Sequence, residues 1–244
     1  MNDGAFAGRI AAAYDDASAA MFDDAVLGPT IQVLTDLADG GRALEFAVGT
    51  GRVALPLGER GVDVSGIELS RDMVAEMLRK PGADRIPVAI GDMTSTRVEG
   101  TFSLVYLVYN TITNLLTQDE QVDCFANAAA HLEPGGRFVI EVGVPSLRRL
   151  PTGERFVPFD VSSEHLGFDE YDVVNQRSIS HHYWIADGQV EMFDSHHRYA
   201  WPAEYDLMAR LAGMSLTDRW SNWQREPFAA DSTSHVSVWT TAES

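Results

Sequence analysis

Between residues 43 and 142, short apolar runs alternate with helical segments, and this alternation constrains the fold more than any other feature of the chain. Residues 43–48 form the first apolar run, and a helical stretch over 52–60 follows, ended by Gly61. Pro56 is tolerable in that helix only within its first turn. Further strand patterns lie at 62–69, 86–90, 102–109 and 137–142. Helices are expected over 72–80 and 118–132, and Glu133-Pro134-Gly135-Gly136 is a strong turn before the last of these strands. Strands and helices in this order build βαβ units, and right-handed crossovers make them a doubly wound sheet.

The flanks read differently. The first 40 residues are helical, with Ile31, Leu34, Leu37 and Ala38 at helical spacing and Gly40-Gly41 as the stop. From 155 to 200, polar residues alternate with aromatic and β-branched ones, and Asp187-Gly188 joins two such runs (178–185 and 189–199) as a hairpin. A helix over 202–212, with Pro202 in its first turn, precedes strands at 215–220 and 234–240. The expected fold class is α/β: a doubly wound, mostly parallel seven-stranded sheet with a β-rich antiparallel insertion. Four segments follow from this: a helical cap (1–40), a nucleotide-binding core (41–143), a lid insertion (144–200), and a helix with strands that complete the sheet (201–244).

Three short motifs fall at the carboxyl ends of adjacent strands, where open α/β sheets bind ligands. In Glu45-Phe46-Ala47-Val48-Gly49-Thr50-Gly51, small residues alternate at Ala47, Gly49 and Gly51, as a backbone passing close under a ligand requires. The helix that follows points its N-terminus at the ligand. Gly66-Ile67-Glu68-Leu69-Ser70 ends the second strand and places a carboxylate where it can accept ribose hydroxyls, while Ser70 suits a helix N-cap. Gly91-Asp92-Met93 follows the third strand, where Asp92 can accept from an adenine amino group and Met93 can pack on the ring.

With Leu132-Glu133-Pro134-Gly135-Gly136, these motifs resemble class I S-adenosylmethionine-dependent methyltransferases over about residues 41–143. The whole chain is similar to actinobacterial enzymes of that class that tailor small molecules such as antibiotics and deoxysugars. The resemblance implies S-adenosylmethionine as cofactor and a small-molecule acceptor with an O or N nucleophile. It implies that Glu45 positions the methionine amino group and that Ala47, Gly49 and Gly51 let the backbone approach. Glu68 would hold the ribose with Leu69 against the adenine, and Asp92 and Met93 would frame that ring. Tyr106 and Tyr109, at the end of the fourth strand, would sit near the methionine moiety or the transferred methyl, and Tyr14 would cover the cofactor. Ala47 stands where the family's motif often has glycine, and little effect is expected from so small a residue. Two other readings stay open: a nicotinamide-dependent dehydrogenase, whose G-x-G-x-x-G differs from the spacing here, and a non-catalytic cofactor-binding sensor.

An oxygen acceptor profits from a general base, commonly histidine. Five of the seven histidines (His165, His181, His182, His196, His197) lie in the insertion. Neighbours in a strand face opposite sides, so one of each pair points inward, and His182 and His197 are the candidate bases. No fixed ligand spacing supports a metal. Arg148, Arg149 and Arg155 are candidates for holding an anionic group on the acceptor.

Charge completes the reading. Asp and Glu number 36 against 18 Lys and Arg, a net charge of −18. This argues against a nucleic-acid partner or an anionic membrane surface. Segments 1–40 and 160–206 carry most of the excess, so a neutral or cationic acceptor such as an amino sugar is expected. The single cysteine, Cys124, and the lack of a leader-like or spanning apolar run point to the cytoplasm. The oligomeric state is left open, monomer or homodimer.

Overall fold

The computed structural model describes residues 6–186 and 188–243. Two helices lead the chain, α1 (Arg9–Ala17) and α2 (Asp24–Ala38). Asp23 caps α2 by accepting from the Ala25 amide at 2.8 Å, and Pro29 lies inside the helix, where it removes one backbone donor. The alternating region then runs β1 (Arg42–Phe46), α3 (Ala54–Glu59), β2 (Asp63–Glu68), α4 (Arg71–Met77), β3 (Val88–Ile90), β4 (Phe102–Leu107), α5 (Gln118–Ala129) and β5 (Leu132–Gly143). Pro56 sits in the first turn of α3, as its chemistry demands. The insertion holds β6 (Phe156–Val161), β7 (His165–Asp172), β8 (Arg177–Ala186) and β9 (Gln189–Arg198). Helix α6 (Pro202–Leu211) and strands β10 (Met214–Trp220) and β11 (Ser234–Thr241) complete the chain.

Seven strands form one sheet in the order β10-β11-β5-β4-β1-β2-β3. β1 to β5 are parallel, and β11 and β10 add antiparallel at one edge. The strand order reverses between β1 and β4, and the crevice above that point is where such sheets bind ligands. Side chains of β4 and β5 alternate between the two sheet faces, as period two requires. Phe102, Val105, Phe138 and Ile140 pack with Phe125 of α5, Tyr205 of α6 and Trp239. Leu104, Tyr106 and Val139 pack with Leu34 of α2 and Leu57 of α3. Helices therefore cover both faces, as the sequence pattern predicts.

Two boundaries differ from the sequence reading. Helix α5 stops at Ala129, and Leu132 already pairs with Phe102, so β5 begins before the Pro-Gly-Gly turn and absorbs it as a register shift. Gly136 makes this possible, because a Cβ there would lie 2.8 Å from the Glu133 carbonyl. The insertion contains four strands rather than a single hairpin, forming an antiparallel sheet in the order β6-β7-β8-β9. The predicted hairpin is its β8-β9 half; Asp187 of the turn lies outside the described residues. Among the described residues, no helix is long and apolar enough to cross a membrane.

Candidate functional site

A cavity of about 450 Å³ opens above the carboxyl ends of β1, β2 and β3, a size suited to a nucleoside-sized ligand. Its floor is the turn after β1. Gly49 and Gly51 there have φ of 57° and 80°, and Ala47 has φ 54°, a left-handed conformation that disfavours any Cβ. Alanine at 47 is small enough for the space and carries backbone strain that a glycine would not. Gly51 does not line the cavity; a Cβ on it would lie 2.9 Å from Met77, so its role is to seat α4 against the turn.

Glu68 stands at the end of β2 and is 7% exposed. Its two carboxylate oxygens accept from the Gly49 amide at 2.9 Å and the Ser70 amide at 2.8 Å. Burial raises its pKa, and those two amides oppose the rise. The Leu69 amide adds a third bond that opposes the rise, and since an ionised carboxylate offers about four lone-pair sites, room is left for a further donor. Leu69, Asp92 and Met93 line the same cavity. The Thr94 amide and hydroxyl outweigh the raising effect of burial and hold Asp92 below the usual range. The Asn127 side chain donates to the Met93 carbonyl at 2.7 Å and fixes that corner.

Behind the turn lies a second carboxylate. Glu45 is 3% exposed and accepts from the Tyr106 hydroxyl at 2.9 Å. Burial pushes its carboxyl up to about 8, although the Tyr106 bond and the Arg52 guanidinium both pull it down. The same burial, with Glu45 alongside, raises the Tyr106 phenol. Neither residue lines the cavity.

Beyond β4 the chain takes two consecutive left-handed residues, Tyr109 (φ 57°) and Asn110 (φ 60°). Such a pair costs on the order of 1–3 kcal/mol per residue and is held by β5. The Tyr109 amide donates to the Glu141 carboxylate at 3.0 Å, and the Gly143 amide donates to the Asn110 side-chain oxygen at 2.6 Å. Tyr109 is left exposed at the mouth, with the Arg52 guanidinium 5.1 Å over its ring.

Helix α1 closes the cavity from above. Tyr14 lines it, and burial raises its phenol, with Tyr109 adding to the rise. The helix is pinned to the turn by Asp15, which accepts from the Thr50 hydroxyl at 2.6 Å and pairs with Lys80. The Gly8 amide also donates to Asp72 at 2.7 Å.

The insertion closes the other side. Strand parity holds for the histidines: His182 and His197 share one face of the sheet with His165, Asp169, Ser180 and Ser195. Neither candidate base lines the first cavity. His182 is turned to His165, 3.0 Å away, and neighbours Phe193, a cavity residue. His197 lines a second cavity of about 580 Å³ that shares Leu116 and His196 with the first. His181 and His196 face the opposite side, where His181 bonds Asp194 at 2.8 Å. Arg155 pairs with Glu170 at 3.2 Å, and Arg148 donates to the Ala230 carbonyl. The side chain of Arg149 lies outside the described residues. Sequence reasoning missed Thr113, Asn114, Glu120, Asp194 and Ser195, ordinary polar residues whose convergence only the fold shows. Among the described residues, no group of three or more His, Cys, Asp or Glu is placed to hold a metal ion.

The lid is fastened by a buried clamp. Arg198 at the end of β9 pairs with Glu204 of α6 at 2.6 Å and bonds Gln121 of α5 at 2.5 Å. The Gln121 amide in turn donates to the Arg198, Ile112 and Leu115 carbonyls.

Comparison with known proteins agrees with this geometry. A family model described as "Methyltransferase domain" matches residues 43–136. The structure of the CcbJ methyltransferase from Streptomyces caelestis is 35% identical, with 88% of each chain covered and a TM-score of 0.79. The cypemycin N-terminal methyltransferase of a Streptomyces species is 28% identical over 200 residues, 80% of each chain. CalS10, an amino pentose methyltransferase from Micromonospora echinaspora solved with S-adenosylmethionine bound, is 21% identical with a TM-score of 0.72, covering 94% of this chain and 96% of its own.

Proposed function

We propose that this chain, which belongs to the class I S-adenosylmethionine-dependent methyltransferases, transfers the methyl group to an amine nitrogen of a small molecule. The observation that carries the nitrogen is the charge of the cavity. Among the described residues, its lining includes Glu68, Asp92, Glu120 and Asp194, the last paired with His181, and no lysine or arginine. A cleft lined by one sign of charge concentrates ligands of the other. The names of two relatives, an N-terminal methyltransferase and an amino pentose methyltransferase, support the same class of acceptor. The acidity also supports a protein with no nucleic-acid partner. The nicotinamide alternative finds no support in these relatives.

The residues fit the cofactor. Glu68, held by three backbone amides, keeps acceptor capacity for a ribose hydroxyl, and Ala47 and Gly49 give a floor without bulky side chains. Asp92 and Met93 suit the adenine. Glu45, buried with its carboxyl pushed up, gains most from a cation, and the amino group of the methionine end supplies one. When bound, the cofactor contributes an activated methyl on a sulfonium, and the chemistry of transfer is its own. The protein's part is alignment and exclusion of water, in which proximity alone is worth about 7–11 kcal/mol. Tyr14 on α1 covers the cavity, and the insertion presents Ser195 and Phe193 from the far side. We assign the four segments accordingly: 1–40 covers the cofactor, 41–143 binds it, 144–200 covers the acceptor, and 201–244 completes the sheet.

The test uses D-glucosamine and D-glucose as matched probes, titrated into protein saturated with S-adenosylhomocysteine. The amine is expected to bind about tenfold more tightly, equivalent to ~1.4 kcal/mol. That preference should shrink in Asp194→Asn and at high salt. Equal binding of the two sugars would contradict an acceptor chosen by charge.

A further inference from the structure

A hydrogen-bonded chain runs from the backbone of the strained β4 corner to the acceptor end of the cavity. The Thr113 hydroxyl donates its one proton to the Asn110 carbonyl at 2.8 Å. With that proton on the Asn110 carbonyl, Thr113 Oγ1 accepts from His197 Nδ1, 3.0 Å away, which is the tautomer assigned to His197 in the relay. Neutral imidazole then presents a bare Nε2, which lies 2.8 Å from Ser195 Oγ. Ser195 must donate to it. The lone pairs of Ser195 Oγ stay free of that bond, and Ser195 lines the cavity whereas His197 does not. The anchor is rigid, since Asn110 is locked by the Gly143 amide on its side chain and by its own amide on the Glu141 carbonyl at 3.1 Å.

We propose that Ser195 receives the proton of the bound acceptor amine and passes its own proton to His197, so that Ser195 is the contact residue and His197 and Thr113 position and store the charge behind it. This rests on the amine reading above. An acidic cavity draws the acceptor in as ammonium, which has no lone pair to attack with. In the relay one N–H bond of the ammonium breaks and its proton goes to Ser195 Oγ. The Ser195 O–H bond breaks in the same exchange and its proton goes to His197 Nε2. Nitrogen keeps the electron pair, now available for the new C–N bond, and Ser195 ends as neutral as it began. His197, now imidazolium, keeps its Nδ1–H on Thr113 and opens onto the second cavity, through which the proton can leave to solvent.

The electrostatic surroundings suit a transient proton store. Burial lowers the His197 pKa below its ordinary value, and His196 on its own strand and His182 on β8 push the same way. Asp169 on β7, itself bonded by Ser180 at 2.6 Å, opposes them and lies near enough to stabilise the imidazolium once it forms. His197 is therefore neutral at pH 7, and the imidazolium formed in the relay gives its proton up readily.

Two measurements decide the matter. Long-range proton–nitrogen NMR on the wild-type protein should show His197 protonated at Nδ1 and bare at Nε2; an Nε2–H tautomer would overturn the relay outright. Methyl transfer to D-glucosamine, followed by mass spectrometry at saturating S-adenosylmethionine, should fall about 10²-fold in kcat in Ser195→Ala. The KM for the cofactor should be unchanged, and Ser195→Thr should restore most of the rate. The acid limb of the wild-type kcat profile should move up to the pKa of the bound ammonium itself in His197→Gln, a change that a purely structural histidine would not produce. A kcat within twofold of wild type in Ser195→Ala would also overturn the relay. Failure of the wild type to methylate the amine nitrogen at any pH counts against the amine reading instead, and the tautomer then decides the relay alone.

Discussion

Glu45 makes the protein's stability depend on pH in a direction opposite to that of most carboxylates. In the folded chain its carboxyl is pushed from the ordinary 4.5 up to about 8 by burial. The folded state therefore binds a proton at Glu45 that the unfolded state has already released between these two values. Where the native state holds more protons than the unfolded one, stability falls as pH rises. The contribution is fully present below pH 4.5 and is lost progressively up to about pH 8. At ~1.4 kcal/mol per pH unit, the loss is on the order of 5 kcal/mol. Other groups titrate over the same range, so the assay is a difference. Urea unfolding of wild type and of Glu45→Gln, at intervals from pH 5 to pH 8, isolates this one carboxyl, because glutamine retains an acceptor for the Tyr106 hydroxyl and does not titrate. The stability of wild type relative to the variant should decline steadily across the range. A difference that stays constant from pH 5 to pH 8 would show that Glu45 is ionised throughout in the folded chain, and the argument from burial would fail.

Other perturbations test other parts. Glu68→Ala removes the acceptor of two backbone amides and of the proposed ribose hydroxyls. It should weaken S-adenosylmethionine by about 10²-fold, from two charge-assisted bonds at roughly 1.5–3 kcal/mol each that water partly replaces; calorimetric affinity within threefold of wild type would refute the assignment. Ala47→Gly relieves a left-handed alanine, a gain of about 1–2 kcal/mol, against ~0.4–1 kcal/mol of added chain entropy. Thermal unfolding should show a neutral to slightly stabilised variant, and a loss above ~1 kcal/mol would show that the Ala47 methyl makes contacts that outweigh the strain. Arg198→Met breaks the buried clamp and should cost about 3–5 kcal/mol in urea unfolding; a loss below 1 kcal/mol would mean that the lid is fastened elsewhere.

The turn after β1 and the first cavity beside it left marks on the chain because their demands are local. Gly49, Gly51, Glu68 and Asp92 sit at strand ends, where backbone conformation and a carboxylate at a set distance leave marks on the sequence. Strand parity likewise put His182 and His197 on one face of the lid, but parity says nothing of depth, and neither reaches the cavity. Thr113 meets His197 across 84 residues of chain, and Ser195 matters only through that meeting, so no local pattern could have singled them out. The strain at Ala47 was hidden for a different reason, since size is visible in a sequence and φ is not. Helix α5 was overrun because Leu132 continues its apolar face, and only pairing with Phe102 assigns that residue to a strand. Strands β6 and β7 escaped separate recognition because their register shifts between Pro158 and Asp160, which breaks the alternation.

The proposed chemistry turns on an acid-lined cavity that delivers an amine to the methyl donor. Incubation with methyl-13C-labelled S-adenosylmethionine and D-glucosamine, read by carbon NMR of the product, tests it most directly, because a methyl on nitrogen and a methyl on oxygen resonate in separate regions. The label should appear on nitrogen, in the wild type and much more slowly in Ser195→Ala. Label on a sugar oxygen, with the amine untouched, would contradict the claim.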